Sequence, residues 1–168
     1  YLYCGLAGPV AEGDTWDLAS QPGALEVALM VITEILQNPG GTDSAHEWFE
    51  LRSLAGEQPV NLRGCGVRDA GSNNFLIDAD LVVDPGAYVT FGQGDSNDPP
   101  TFQGGFAADW TYPSSFQLAN GDDEVIVECG PLAVLVDEVY YDGGPLFPDP
   151  DGASMTLDPM ALDPLLND

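Results

Sequence analysis

From Leu25 to Leu157 the chain breaks into short runs of β-branched, aromatic and aliphatic residues, each closed by Gly, Pro, Asn or Asp. In many of these runs apolar and polar side chains alternate. Alternation at a period of two places one face of an extended segment toward a core and the other toward water, so the pattern predicts strands. The runs are Leu25 to Leu36, Glu47 to Leu51, Pro59 to Leu62 leading into Cys65 to Asp69, Asn74 to Ile77, Leu81 to Val83, and Ala87 to Phe91. Further on come Ser115 to Leu118, Glu124 to Cys129, Val134 to Tyr141 and Ala153 to Leu157. No segment of useful length has apolar residues at helical spacing.

Two runs show the logic most clearly. In Glu124 to Cys129, Val125, Val127 and Cys129 point one way while two glutamates point the other. In Leu25 to Leu36, strict alternation places Val31 and Ile35 on one face with Leu25, Val27 and Leu29, and places Glu26, Ala28, Met30, Ile32 and Glu34 on the other. A strand apolar on both sides is central or covered. Asn120-Gly121 within Asn120 to Asp123 marks a tight hairpin turn. Residues 92–114, rich in Gly, Pro and Asp, read as a long loop carrying Trp110 and Tyr112. Residues 1–24 read as an N-terminal arm or linker, 25–158 as one all-β domain, and 159–168 as a surface tail.

Composition adds a core and an extreme charge. Hydrophobic residues make up 44% and aromatics 10%, enough for a packed interior and too many for a disordered acidic tail. Twenty-eight acids face three basic residues, a formal charge of −25. The basic residues are Arg52, Arg63 and Arg68; there is no lysine. This balance argues against nucleic acid and anionic membranes as partners, because their recognition depends on Lys and Arg displacing counterions. The acidity suits high salt, calcium-rich surroundings or a cationic partner.

Three cysteines, Cys4, Cys65 and Cys129, with no Cys-x-x-Cys, leave one disulfide and one thiol whose partner lies elsewhere. This usage favours an extracellular or cell-surface setting. Tyr1-Leu2-Tyr3-Cys4 lacks the charged start and apolar stretch of a signal peptide, so a secreted protein would have lost that segment before Tyr1. No apolar run reaches the ~18 residues of a membrane helix.

The order of several pieces carries a resemblance. Val31-Ile32-Thr33-Glu34-Ile35-Leu36-Gln37-Asn38-Pro39 resembles the opening strand of lamin-tail domains, with its central Glu and Asn-Pro turn. Glu47-Trp48-Phe49-Glu50-Leu51 resembles their Glu-Trp-apolar-Glu-apolar strand. Val60 to Cys65, Asp84-Pro85-Gly86-Ala87-Tyr88-Val89, Leu118 to Val125 and Val136 to Tyr141 resemble later elements, in order. Each motif alone is weak; six in sequence are fairly specific. The resemblance implies an immunoglobulin-like antiparallel β-sandwich of two sheets. The rod helices and basic surface of nuclear lamins are absent here, and Cys65 and Cys129 fall where apolar residues are more usual. These departures point to the bacterial or archaeal extracellular branch. The resemblance carries no catalytic residue to this chain.

The resemblance also puts Cys65 and Cys129 on strands inside the sandwich, implying a cross-sandwich disulfide that contributes roughly 2–4 kcal/mol; two buried free thiols are the alternative. Cys4 is then left unpaired, or for a bond to a partner chain or to sequence beyond Asp168. Candidate calcium ligands are Asp149, Asp151 and Asp158 around Pro150-Asp151-Gly152, Asp95 and Asp98 in the long loop, and Asp122 and Asp123 at the hairpin, since hard cations want several close oxygens. Phe147 stands where a calcium loop of the helix–loop–helix type needs its first ligand, and each cluster is more often a solvated turn. Trp110 and Tyr112 are candidates for a binding surface. A binding surface around Trp48 is a further reading, against ordinary core packing. His46 has no nucleophile in a recognisable motif beside it. Glu26, Glu34, Glu124 and Glu128 could pair as glycosidase carboxylates only in a cleft that such a sandwich rarely builds.

Three functions follow for comparison. The first is a non-enzymatic structural or adhesive module of a secreted or surface protein, engaging other proteins. The second is a self-assembling subunit of an extracellular filament or layer, with the arm adding a strand to a neighbour's sheet edge. The third is an accessory domain of a secreted hydrolase.

Overall fold

The computed structural model describes residues 30–40, 46–94, 107–144, 146–149 and 151–164. The N-terminal arm, the first five residues of the strand expected from Leu25, Cys4, Asp95 and Asp98 lie outside the described residues.

Eleven strands are described: β1 Met30–Leu36, β2 Trp48–Ser53, β3 Val60–Asn61, β4 Cys65–Arg68, β5 Asn74–Leu76 and β6 Val82–Val83, then β7 Tyr88–Gln93, β8 Trp110–Tyr112, β9 Asp122–Cys129, β10 Val134–Asp142 and β11 Met155–Thr156. They form a five-stranded sheet in the order β11-β1-β2-β7-β8, a four-stranded sheet in the order β10-β9-β4-β5, and a β3-β6 pair. All pairs are antiparallel except β7 with β8, which is parallel. The two larger sheets enclose one apolar core, as the immunoglobulin-like sandwich requires.

Interdigitated rings join the sheets. Phe49 stacks on Phe91 at 4.8 Å between centroids. Phe75, from the other sheet, stacks on Tyr112 at 5.1 Å, and Phe116 meets Tyr112 edge-on at 5.2 Å. These are the offset and edge-to-face geometries that aromatic quadrupoles favour.

The expected faces of β1 are wrong, and the cause is one residue. The pairing of β1 with β2 slips between Ile32 and Glu34, leaving Thr33 as a bulge. One extra residue flips the alternation. Met30, Ile32 and Ile35 therefore share the core, where strict alternation separates Ile35 from the other two. A second bulge, between Leu135 and Asp137, does the same in β10 and sends Val136, Val139 and Tyr141 inward.

Three other expectations fail. The loop expected over 92–114 contains β8 and the end of β7. Ser115 to Leu118 forms no strand; Phe116 and Leu118 reach the core from a loop instead. The disulfide does not cross the sandwich. Cys65 and Cys129 sit directly opposite one another on adjacent strands of one sheet, with Cα atoms 4.0 Å apart. The Cys65 N–H donates to the Leu62 carbonyl and its own carbonyl accepts from Ile77 N–H, so neither group is spent on β9. Such a non-hydrogen-bonded antiparallel pair brings the two Cβ atoms close enough to bridge.

Candidate functional site

Among the described residues the core is packed with side chains from both sheets, and the clefts open at the surface. An acidic cleft of about 370 Å³ opens beside the β9 turn, with Glu47, Asp69, Asp122 and Asp123 among its walls. Its carboxylates mostly serve the fold. Glu47 is buried, and its Oε2 accepts from Leu118 N–H at 3.0 Å. The Asp69 carboxylate accepts from Asn73 N–H at 3.0 Å. Asp123 accepts from Ala119 N–H at 2.7 Å and from Glu124 N–H at 2.9 Å. Burial pushes the Asp123 carboxyl above its ordinary range, against those two backbone donors.

The calcium candidates are dispersed in the same way. Asp149 accepts from the side-chain amides of Gln37 and Asn38 at 3.1 and 3.3 Å, tying the segment before β11 to the end of β1. Asp158 accepts from Met160 N–H at 2.9 Å, a local turn. Asp122 stands opposite Asp142 at the end of the β9–β10 ladder. Among the described residues no group of three or more His, Cys, Asp or Glu is gathered so as to hold a metal ion.

The aromatic candidates divide. Tyr112 is 0% exposed and packs among Phe49, Phe75 and Phe116, so it is a core residue and cannot serve as a binding surface. Its hydroxyl donates to the Glu47 carbonyl at 3.3 Å. Burial pushes its pKa well up, with the Glu47 charge adding to the effect. Trp110 is half-buried against the core edge. Trp48 is buried in a small satellite cluster with Leu36 and Ala108, the packing reading and not the binding one. His46 is half-buried in the turn before β2.

An apolar recess of about 290 Å³ lies where β10 diverges from β1, with Ile32, Ile35, Val139 and Met155 below and Leu146 and Phe147 beside it. The junction is held by Asp137, a buried acid whose Oδ2 accepts from Ile32 N–H at 2.6 Å and whose Oδ1 accepts from Glu138 N–H at 3.0 Å. Alternation puts Asp137 on the same face as Val139 and Tyr141, but its partner on β1 is a contact between sheets that the sequence does not show.

The outer face of the four-stranded sheet is built in register. Leu135, Glu128, Gly66 and Leu76 form one row across four strands, and Glu138, Ile126, Arg68 and Asn74 form the next. Tyr140 and Glu124 begin a third. Arg68 Nη2 meets Glu128 Oε1 at 2.7 Å, which holds the Glu128 carboxyl below its ordinary range. Sequence alternation did expose Glu124 and Glu128, but not their neighbours across strands, since register is a long-range property.

A family description of the lamin tail domain matches residues 27–143. No curated protein matches the chain. Beyond the matched residues, β11 still adds to the sheet, pairing Thr156 with Glu34 and Met155 with Ile35. Domains of this immunoglobulin-like kind are generally non-enzymatic and typically mediate protein–protein interactions. With the match spanning well over half of its length, and the sandwich in place, this chain belongs to the lamin tail domain family.

Proposed function

We propose that this chain is a non-enzymatic interaction module of a secreted or cell-surface protein, engaging other proteins through its outer faces. The observation that carries the reading is the engagement of the buried and cleft carboxylates. Glu47, Asp137, Asp69 and Asp123 each accept backbone N–H groups, which spends their oxygens on holding the fold. A catalytic pair needs carboxyl groups facing a substrate cleft with unequal proton affinities. The Cys65–Cys129 bridge supports an oxidising compartment outside the cell. The charge of −25 supports a saline or calcium-bearing medium, in which counter-ions gather over the acidic surface.

Light scattering on the non-reduced chain, at low and high salt and with calcium added or chelated, tests this reading against self-assembly. A monomer under every condition is the expected result. Large species that disperse on chelation or on reduction of Cys4 would overturn it and favour the filament or layer subunit.

A further inference from the structure

The inference concerns Gly66 and rests on the interaction-module reading. Gly66 occupies β4, an interior strand hydrogen-bonded to β9 on one side and β5 on the other. Glycine inside a strand weakens it, through lost backbone entropy and missing side-chain packing. The usual excuses do not apply. Its φ lies outside the left-handed region that glycine alone adopts freely. A Cβ added there would meet nothing closer than the Phe75 carbonyl oxygen at 3.7 Å, an ordinary contact. The chain's own packing therefore leaves room for a side chain that the sequence does not supply.

That missing side chain leaves a notch on the outer face, between Glu128 and Leu76 in the same row. Around the notch, apolar side chains stand in solvent: Leu76 is 60% exposed, Leu135 47% and Tyr140 42%. At the centre Ile126 is only 1% exposed, flanked in its row by Arg68 and Glu138. The charge on this face is Glu124, Glu128 and Glu138, with the Asp122–Asp142 pair at the end of the β9–β10 ladder, against Arg68 alone. A glycine in a strand often marks a place where another backbone or a ligand approaches closely.

We propose that this face docks an extended segment of another protein, with an aliphatic side chain seated over Gly66 and Lys or Arg side chains meeting Glu124, Glu138 and Glu128. Charge selects the occupant. A second copy of this chain brings 28 acids and three arginines, and nucleic acid brings phosphates; both are repelled. A basic segment with alternating apolar residues matches both the charge and the apolar rim.

The probe is a fluorescein-labelled eight-residue peptide alternating lysine with valine, titrated into the full chain at physiological salt. Saturable binding is expected, with amide shifts at Gly66, Leu76 and Leu135. Gly66→Val should weaken binding at least tenfold while keeping or raising the melting temperature. Leu76→Ser should also weaken binding, and Glu57→Gln, which removes a charge from the loop between β2 and β3, should not. Parent-like binding by Gly66→Val, or its failure to fold, would overturn the proposal. Saturable binding with shifts on another surface would overturn this face and leave the interaction-module reading standing. No saturable binding of the peptide would overturn the choice of a basic occupant, and partner capture through other surfaces would then decide the broader reading.

Discussion

Single residues show how position decides what a carboxylate or a thiol does. Glu50 sits on β2 with its Oε1 accepting from the Thr33 hydroxyl at 2.7 Å. Burial pushes its pKa up, and the Glu34 and Asp109 charges add to that, although the Thr33 bond opposes it. A carboxyl that binds its proton more tightly folded than unfolded lowers stability as pH rises from the ordinary carboxylate range through its raised value. Glu50→Gln keeps an acceptor for Thr33 and removes that charge. Its melting temperature at neutral pH should exceed that of the parent by roughly 2 °C, and the gain should vanish below the carboxylate range, where Glu50 is neutral in both states. Glu128, held low by Arg68, works in the opposite sense and loses its contribution as pH falls through its lowered value. The disulfide closes a loop spanning 64 residues. Replacing both Cys65 and Cys129 by Ala should cost about 4 kcal/mol in denaturant unfolding, the chain-entropy figure for a loop of that length.

Elements form where the sequence alternates, and shift where it slips. β2, β4, β5, β7, β9 and β10 coincide closely with runs that read as strands, because each is a half-buried face whose period is local information. The bulges at Thr33 and near Val136 were not legible. Nothing in Val31-Ile32-Thr33-Glu34-Ile35 says which residue will go unpaired; β2 decides that by pairing Glu34 with Glu50. β8 was missed because it is three residues long and pairs in parallel with β7 across a long connection. Tyr112 consequently looked like a loop aromatic when it is a wall of the core. Of the site candidates, the cysteine pair was legible through family resemblance, although its in-sheet geometry was not. Asp137 shares the inward face of Val139 and Tyr141 beyond the β10 bulge and meets the Ile32 amide, a contact between two sheets that local sequence does not reveal. Asp137→Ala removes a buried acceptor 2.6 Å from the Ile32 N–H and should destabilise the chain by roughly 1–3 kcal/mol, with hydrogen exchange rising first in β1 and β10.

The whole molecule is an apolar sandwich under a strongly acidic skin. A charge of −25 means that most surface carboxylates have no cation within reach; among the described residues the ion pairs are Arg63 with Asp80 and Arg68 with Glu128. Added salt shortens the screening length from about 10 Å at 0.1 M to about 3 Å at 1 M. The melting temperature should therefore rise with sodium chloride across that range, on the order of 5 °C for a domain of this size. A melting temperature indifferent to salt would mean that the surface charge is locally compensated.

The absence of lysine also makes the most direct test of the interaction-module account unusually clean. A carbodiimide joins carboxylates to amines at zero length, and the side chains of this chain supply only the former. Cross-linking the folded chain in the cell-associated and medium fractions of its source, followed by mapping of the joined residues, should give adducts to lysines of other proteins. The account predicts that these adducts cluster on one outer face and disappear when excess unlabelled chain competes. Adducts scattered over the surface and insensitive to competition would contradict it.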